Sequence, residues 1–266
     1  MSAEENNPKL HKTPQPTHAS VLLAKVLAQR NIGQKQDLFT LFSNFEKLFG
    51  KHLTEHLKIT DLKDGILVIK ASNSVWKNEA LYQKKATDLL KRMVKLDSFH
   101  NATGGKISSK RMTDCDFANR FLAFYLYIKE YDGNLDEFMG DALAKVNRMS
   151  QQEIDDIYNA FDKSMRLCFD LLGETAFKRP DPNNQGCFLK INKAIFEVLS
   201  VSIANLSVQE RDQLVRQAVQ FKNALYDLFT QEDFIKSCTS GTAKIPQVEY
   251  RHIQVQQLIK DIISND

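Results

Sequence analysis

The residue types that most often carry chemistry are present in this chain, but their spacing does not form a catalytic motif. His52 and His56 are four residues apart, as in zinc-dependent hydrolases, yet Glu55 between them stands at the wrong position for the general base. Gly104-Gly105-Lys106 lacks the other glycine and the spacing of a phosphate-binding loop. The sequence therefore predicts a protein that is not an enzyme and that uses neither a metal nor a cofactor.

Clusters of basic side chains are the remaining candidates for function. They are Lys77, Lys84, Lys91 and Lys95 at helical spacing, and Lys106, Lys110, Arg111, Lys178 and Arg179 in predicted loops. A row of ammonium groups could follow a phosphate backbone and give salt-dependent affinity without sequence specificity. The same row could be a solvated helix face, because an exposed face must be polar and lysine is a good helix former. The candidate nucleic-acid-binding residues are Lys77, Lys84, Lys91, Lys95, Lys110, Arg111, Lys178 and Arg179.

The charge is distributed unevenly along the chain. Of its 266 residues, 42% are hydrophobic and 26% charged, which is ordinary for a globular protein. Residues 1–95 carry 16 Lys and Arg against 9 Asp and Glu, a net +7, while residues 96–266 carry 20 against 24, a net −4. Any polyanion would therefore be met by the N-terminal part, although an uneven but merely solvated surface is the alternative.

The cysteines and the hydrophobic runs indicate in which cellular compartment the protein is found. The four cysteines lie far apart without a Cys-x-x-Cys pair, which predicts reduced, mostly packed thiols rather than a zinc site or a disulfide framework. The longest aromatic and aliphatic stretch, Phe121 to Ile128, is much shorter than the roughly 18 residues of a membrane span. We expect a cytoplasmic protein without a membrane partner.

Folded structure is predicted to begin near Ser20. Residues 1–19 combine three prolines with polar side chains and hold too few apolar groups to offset the entropy of ordering, so we expect a disordered tail. Apolar residues then recur at three- and four-residue steps around residues 21–27 and 38–49. These two segments are predicted to be helices.

A strand, turn and helix pattern follows. Asp64-Gly65 supplies the turn with positive φ that joins two short strands, and Ile66 to Ile69 is an apolar run suited to a sheet. Ser72 or Ser74 is predicted to cap a long helix that reaches about Val94. One face of that helix is predicted to be buried, with Trp76 as a core anchor on its flank; the face consists of Val75, Tyr82, Ala86, Leu89 and Met93.

The remainder of the chain is predicted to be helical. Asn101 to Lys110 is interpreted as a loop or linker, and Thr113 with Asp116 as the cap of the helix after it. Capping boxes at Ser150–Glu153 and Ser207–Glu210 each precede a long periodic run. Further helices are predicted around Ile195, Phe196 and Leu199, and around Ile253, Leu258, Ile259 and Ile262.

Residues from about Ser20 to Val94 resemble the DciA family, bacterial proteins that act on the replicative DnaB-type helicase through a domain with a KH-like fold. The resemblance lies in Phe45-Glu46-Lys47-Leu48-Phe49-Gly50-Lys51-His52-Leu53, in Leu62-Lys63-Asp64-Gly65-Ile66-Leu67-Val68, and in Ser72-Asn73-Ser74-Val75-Trp76-Lys77-Asn78-Glu79. Phe45 stands where the family usually has tryptophan, and a helical region follows where the family typically has a disordered extension. The resemblance implies a KH-like unit that acts on a replicative helicase.

Residues from about Leu96 onward resemble the C-terminal helical part of GmrSD-type restriction proteins. The resemblance is carried by Ile107 to Asp114, Asn119 to Phe124, Tyr131-Asp132-Gly133 with Phe138, Ile191 to Glu197, and Ser240-Gly241-Thr242 followed by Arg251. In that family a half with an Asp-Gly-Gln-x-Arg motif for nucleotide hydrolysis precedes this region, and here the KH-like unit takes its place. The resemblance implies a helical scaffold or docking surface.

Together these features predict an α+β protein. A KH-like domain of two helices, short antiparallel strands and a long helix is expected at residues 20–95, and an all-helical domain at residues 96–266. We expect a non-catalytic protein that associates with DNA or binds a partner, in replication or anti-phage defence. The expected partners are DNA and either a replicative helicase or a restriction-system subunit. The alternative is a truncated subunit or remnant of a nucleotide-dependent restriction endonuclease system.

Overall fold

The structure, a computed structural model, describes residues 45–46, 51–63, 66–81 and 85–264. In this part of the chain a short antiparallel sheet precedes a set of helices, which confirms the predicted α+β class. The predicted tail at residues 1–19 and the helix predicted around residues 21–27 lie outside the described residues. The helix predicted around residues 38–49 does so as well, except for residues 45–46, which are helical.

Two strands form the sheet. Strand β1 (Leu57–Lys63) runs antiparallel to β2 (Ile66–Ala71), with Leu57 opposite Ala71 and Lys63 opposite Ile66. The register shifts between Ile59 and Asp61, as at a β-bulge. This pairing confirms the predicted hairpin, although Asp64 and Gly65 themselves lie outside the described residues.

Helices account for most of the remaining described residues. In chain order they are α1 (Lys51–Thr54), α2 (Ser74–Leu81), α3 (Lys85–Met93), α4 (Asp97–Thr103), α5 (Thr113–Tyr127), α6 (Leu135–Val146), α7 (Gln151–Leu172), α8 (Lys193–Ala204), α9 (Val208–Arg216), α10 (Ala218–Leu228), α11 (Glu232–Thr239) and α12 (Ile245–Ser264). Single turns of 3-10 helix cover Lys110–Met112, Ile128–Glu130 and Gly173–Thr175.

Helix α8 is the centre of the helical part. Every residue from Ala194 to Ala204 is buried, because the helix is apolar on nearly all sides and its neighbours α5, α7, α11 and α12 cover it. The only charged residue in that buried span is Glu197. A carboxylate in such a position must be paired, and its partners are described below.

The N-terminal helices α2 and α3 pack directly on this bundle. Helix α2 contacts α5 and α6, and α3 contacts α5, α6 and α7. Val75, Ala86, Leu89 and Met93 are buried as predicted, while Tyr82 lies outside the described residues. These side chains belong to the same hydrophobic core as the helices after residue 95. The division into domains at residues 20–95 and 96–266 stays a prediction.

Trp76 is a core residue, as predicted. Its side chain is 1% exposed, and its ring stacks on His56 with centroids 3.9 Å apart. His56 directly precedes β1, so this contact ties the sheet to α2. An aromatic ring held in this way does not present a face to a nucleic-acid base.

The residue that caps α2 differs from the prediction. Asn73, and not Ser72 or Ser74, accepts the hydrogen bond from the backbone N–H of Trp76, at 3.0 Å. An asparagine caps as well as a serine, and its position three residues before Trp76 suits that bond. The Ser74 hydroxyl instead accepts a buried hydrogen bond from Asn119 of α5, at 3.1 Å.

Residues 101–103 belong to helix α4 and not to a loop, which corrects the interpretation of Asn101 to Lys110 as a linker. The helix ends at Gly104, whose φ of +57° is the left-handed conformation that glycine adopts without strain. Phe99 in α4 packs on Phe161 and Phe196, with centroids 5.8 and 6.3 Å apart. The segment after residue 95 is therefore anchored in the core.

The predicted cap of α5 was also wrong. The N-cap residue is Met112, and the Thr113 hydroxyl donates to the Lys110 carbonyl at 3.0 Å instead of accepting from the helix. The capping boxes at Ser150–Glu153 and Ser207–Glu210 are confirmed, since each serine and each glutamate bonds the backbone of the other. The run after Ser207 forms two helices, which meet at Gln217.

Candidate functional site

The lysine row predicted on the third helix is only partly in the described residues. Lys77 on α2 and Lys95 after α3 are exposed, Lys91 is half-buried, and Lys84 lies outside the described residues. The Lys77 ammonium lies beside Gly140 of α6, 3.8 Å from the position that a Cβ on that glycine would take. Lys77 thus borders the bundle. Its role in nucleic-acid binding, like that of the others, stays a prediction.

The basic residues predicted in loops lie on two neighbouring loops, Lys106, Lys110 and Arg111 on one and Lys178 and Arg179 on the other. Lys110 is exposed at the start of a 3-10 turn, and Arg111 follows it in that turn, with a side chain outside what the structure describes. Lys178 and Arg179 are half-buried in the loop after α7. What the sequence did not reveal is that Lys106, 72 positions before Lys178, stands next to it.

A pocket of about 480 Å³ separates these loops. Its walls come from the loop before α5, from the first turns of α5 and from residues 188–191. The side chains that line it are Lys106, Ile107, Ser108, Thr113, Phe117, Lys178, Phe188, Leu189, Lys190 and Ile191. Among these described lining residues there are three lysines and no aspartate or glutamate, so the pocket is cationic with an apolar floor.

The surroundings of Lys178 disfavour the charged form of its ammonium group. Burial lowers the pKa of its ammonium, and the positive charge of Lys106 lowers it further, while Glu174 opposes both effects. The Lys178 Nζ donates a 2.6 Å hydrogen bond to the Glu174 backbone carbonyl, which holds the side chain in place. Nearby, Asp116 is already paired with Lys193 at 2.5 Å.

Backbone hydrogen bonds fix the loop that carries Lys178 and Lys190. The Leu189 N–H donates to the Arg179 carbonyl at 3.0 Å, the Asp181 N–H donates to the Cys187 carbonyl at 2.9 Å, and Pro180 pairs with Phe188 as an isolated bridge. The two arms of the loop therefore lie side by side. This arrangement places Lys178 and Lys190 on the same pocket although 12 residues separate them.

A second polar cluster lies inside the bundle, around Glu197. Its carboxylate Oε1 accepts hydrogen bonds from Arg251 Nε at 3.0 Å and from Arg251 Nη2 at 2.5 Å. His252 Nε2 lies 3.2 Å from the same oxygen, and Arg120 Nε lies 3.5 Å from Oε2. The Glu197 and Arg251 side chains are fully buried. Arg251 Nη1 also donates to the Thr242 carbonyl at 2.8 Å.

The charge state of Glu197 follows from these partners. Burial by itself raises the pKa of the carboxyl group, but the Arg251 guanidinium, with His252 and Arg120, holds it below the usual value for glutamate. The side chain is therefore an anion that offsets buried cations. This cluster was not predicted; the available signal was the single acidic residue in the otherwise apolar span of α8.

The Glu197 cluster joins residues that the resemblance to GmrSD-type proteins had singled out separately. Arg120, Glu197, Thr242 and Arg251 come from three of the quoted segments, and they meet in one place. With side-chain exposures of at most 6%, Glu197, Arg120, Arg251 and His252 are out of contact with solvent. The cluster therefore connects α5, α8 and α12 structurally.

The described ranges hold neither a metal-binding cluster nor a membrane-spanning helix. No group of three or more His, Cys, Asp or Glu side chains there is arranged to hold a metal ion. None of the helices found there combines the length and the apolar character that crossing a bilayer requires. All four cysteines are free thiols, and three of them are buried, as predicted.

Residues 18–93 match the model of the family described as Dna[CI] antecedent, DciA. This match confirms the resemblance of the N-terminal part to that family. Comparisons of the chain with curated proteins and with solved structures give no match. The resemblance of the region after Leu96 to GmrSD-type proteins stays a prediction.

Proposed function

We propose that this protein is a non-catalytic, DNA-associated replication protein that binds a replicative helicase through residues 20–95. The observation that carries the proposal is the match of residues 18–93 to the DciA family model. In this proposal the helical region at residues 96–266 is a docking domain for a further partner. The protein would act in the cytoplasm, where bacterial DNA and its helicase are found.

The basic side chains support the DNA-binding part of the proposal. Lys77 and Lys95 are exposed near the two ends of the α2 and α3 pair, and residues 1–95 carry the net positive charge of the chain. Lysine ammonium groups bind phosphates as point charges, with an affinity that falls as salt rises. Trp76 is buried, so base stacking on this residue is not part of the proposed mode. We expect contacts to the phosphate backbone without sequence specificity.

The DNA-binding part can be tested by fluorescence anisotropy of the full chain with labelled single- and double-stranded DNA. We expect binding at low salt, and the logarithm of the association constant should fall linearly with the logarithm of the salt concentration. Replacing both Lys77 and Lys95 with glutamine should reduce the slope by about 1 for each phosphate that is no longer neutralised. Lys260→Gln, an exposed lysine on α12, is the control for the loss of charge alone. Lack of binding at low salt would refute this part.

The helicase part needs a separate measurement. The full chain and the replicative helicase of the same organism should co-elute in size-exclusion chromatography, and the complex should form without DNA. The chain alone should not hydrolyse nucleotides. A failure to co-elute at micromolar concentrations would refute helicase binding, and hydrolysis that survives rigorous purification would refute the non-catalytic assignment.

A second candidate function is a subunit of a nucleotide-dependent restriction system. What favours it is the convergence of Arg120, Glu197, Thr242 and Arg251, which come from three separate segments that resemble GmrSD-type proteins. This candidate requires a second polypeptide that contains the Asp-Gly-Gln-x-Arg motif and is encoded by a neighbouring gene. Co-purification of such a polypeptide from the native host, with nucleotide hydrolysis in the complex, would support it over the helicase proposal.

A further inference from the structure

The pocket between Lys106 and Lys178 has features that a solvated surface loop does not require. Two ammonium groups are neighbours there, Lys190 adds a third cation, and no carboxylate lines the walls among the described residues. Lys178 is half-buried and Lys106 is exposed, and like charges that are neighbours repel each other. Glu174 offsets part of this repulsion at Lys178, and an anion bound in the pocket would offset more of it.

The backbone on both sides of the pocket is also strained. Met112 and Phe177 have φ angles of 54° and 63°, and they are the only described residues other than glycine with positive φ. Bulky side chains rarely adopt this conformation, which persists only where the surroundings hold it. Met112 precedes Thr113 of the pocket wall, and Phe177 precedes Lys178. The fold thus maintains two unfavourable backbone positions next to the residues that form the pocket.

From this geometry we infer that the pocket binds a nucleoside phosphate, held by Lys106, Lys178 and Lys190. The phosphate lies between the ammonium groups, and the base lies against the apolar side, where the ring of Phe188 is half-buried; Phe117 is buried and does not serve as a stacking surface. The source of the group is either a free mononucleotide or the terminal nucleotide of a strand. The inference deepens the proposed function, since Lys178 is one of its candidate nucleic-acid-binding residues.

The chemistry of the walls favours this ligand over other anions. Three cations suit a phosphate dianion better than a single carboxylate, because each ammonium group adds an attraction, which is stronger at half-buried Lys178 than at exposed Lys106 and Lys190. The remaining wall is mainly apolar, with Ser108 and Thr113 as its polar members, and a bare inorganic ion would leave the apolar part uncovered. A volume of about 480 Å³ is within the usual range for small-ligand pockets.

The first experiment titrates the full chain with deoxyadenosine monophosphate and follows binding by isothermal calorimetry. We expect saturable binding that is at least tenfold tighter than for inorganic phosphate or for unphosphorylated deoxyadenosine. Lys178→Gln and Lys106→Gln should each weaken it about tenfold, whereas Lys163→Gln, an exposed lysine on α7 away from the pocket, should leave it unchanged. Circular dichroism verifies that every variant is folded.

A second readout does not depend on variants. Trinitrobenzenesulfonate labels unprotonated amines, and the bound phosphate should slow the labelling of Lys178, detected by peptide mass spectrometry. No saturable binding up to several millimolar would overturn the inference. So would equal affinity for the nucleoside and the nucleotide, or an equal loss of affinity in Lys163→Gln.

The source of the ligand is distinguished with two labelled ten-nucleotide strands, one with a 5′-phosphate and one with a 5′-hydroxyl. Tighter binding of the phosphorylated strand identifies a strand end, and equal binding of the two strands together with mononucleotide binding identifies a free nucleotide. Failure of the proposed DNA binding would show as no affinity for long DNA while the mononucleotide still binds. The two results are therefore separable.

Discussion

Replacing Glu197 with glutamine should strongly destabilise the protein. The carboxylate is fully buried and offsets the charges of Arg251 and Arg120, while His252 lies at hydrogen-bond distance. Glutamine has almost the same shape but no charge, so the guanidinium groups lose the anion that compensates for their burial. Breaking a buried ion pair by removing one partner costs about 3–5 kcal/mol.

The contacts support the same magnitude. Arg251 donates two hydrogen bonds to Glu197 Oε1, and bonds of this charged kind contribute about 1.5–3 kcal/mol each. The glutamine carbonyl retains part of that interaction, which places the expected loss within about 3–5 kcal/mol rather than above it. A domain is typically stable by about 5–15 kcal/mol, so the variant should lose a large share of its stability.

The assay is urea denaturation at pH 7, followed by circular dichroism. Asp155→Asn is the control, because Asp155 forms an ion pair with Arg92 in which the side chains are 41% and 46% exposed, and such pairs contribute about 0–1 kcal/mol. A loss below about 1 kcal/mol for Glu197→Gln, similar to the control, would refute the reasoning that the cluster depends on this charge.

The same variant gives a prediction about pH. Because the pKa of Glu197 is lower in the folded protein than in the unfolded chain, its contribution is complete above the unfolded value of about 4.3. As the pH falls below that value the unfolded chain takes up the proton first, and the contribution is lost. The stability difference between the wild type and Glu197→Gln should therefore shrink as the pH falls below about 4.3. A difference that grows below that pH would contradict the assignment.

Two further outcomes are expected. At pH 8 dithionitrobenzoate should quickly label one thiol, that of exposed Cys187, and the three buried thiols only after denaturation. Burial keeps the reagent out and, for Cys238, raises the pKa to about 11. More than one rapidly labelled thiol in the native protein would contradict the burial. Ser207→Ala should lower the free energy of unfolding, measured in urea, by about 1 kcal/mol, because the backbone N–H of Glu210 loses its acceptor. Ser207→Asp, which keeps an acceptor, should unfold with nearly the free energy of the wild type. Equal losses in the two variants would show that this hydrogen bond is not the cause.

Local patterns in the sequence predicted local structure well. The two capping boxes depend on bonds between residues three positions apart, so Ser150 and Ser207 were assigned correctly from spacing alone. The assignment of the cap to Ser72 or Ser74 was wrong, because asparagine caps as well as serine, Asn73 stands between them, and the Ser74 hydroxyl is used in a bond with Asn119.

The sequence by itself determined the fold class, the hairpin and the burial of Trp76, Val75, Ala86, Leu89 and Met93, since periodicity and turn residues specify these over short stretches. The described residues place those side chains on two helices, α2 and α3, where one long helix was predicted. Only the tertiary structure decided which charged side chains meet. Lys106 and Lys178 are brought together by the packing of two loops, and Glu197 meets Arg251 across 54 positions through the packing of α8 on α12. The physical reason is that helix and turn signals act within a few residues, whereas these contacts arise when distant apolar faces are buried in a common core.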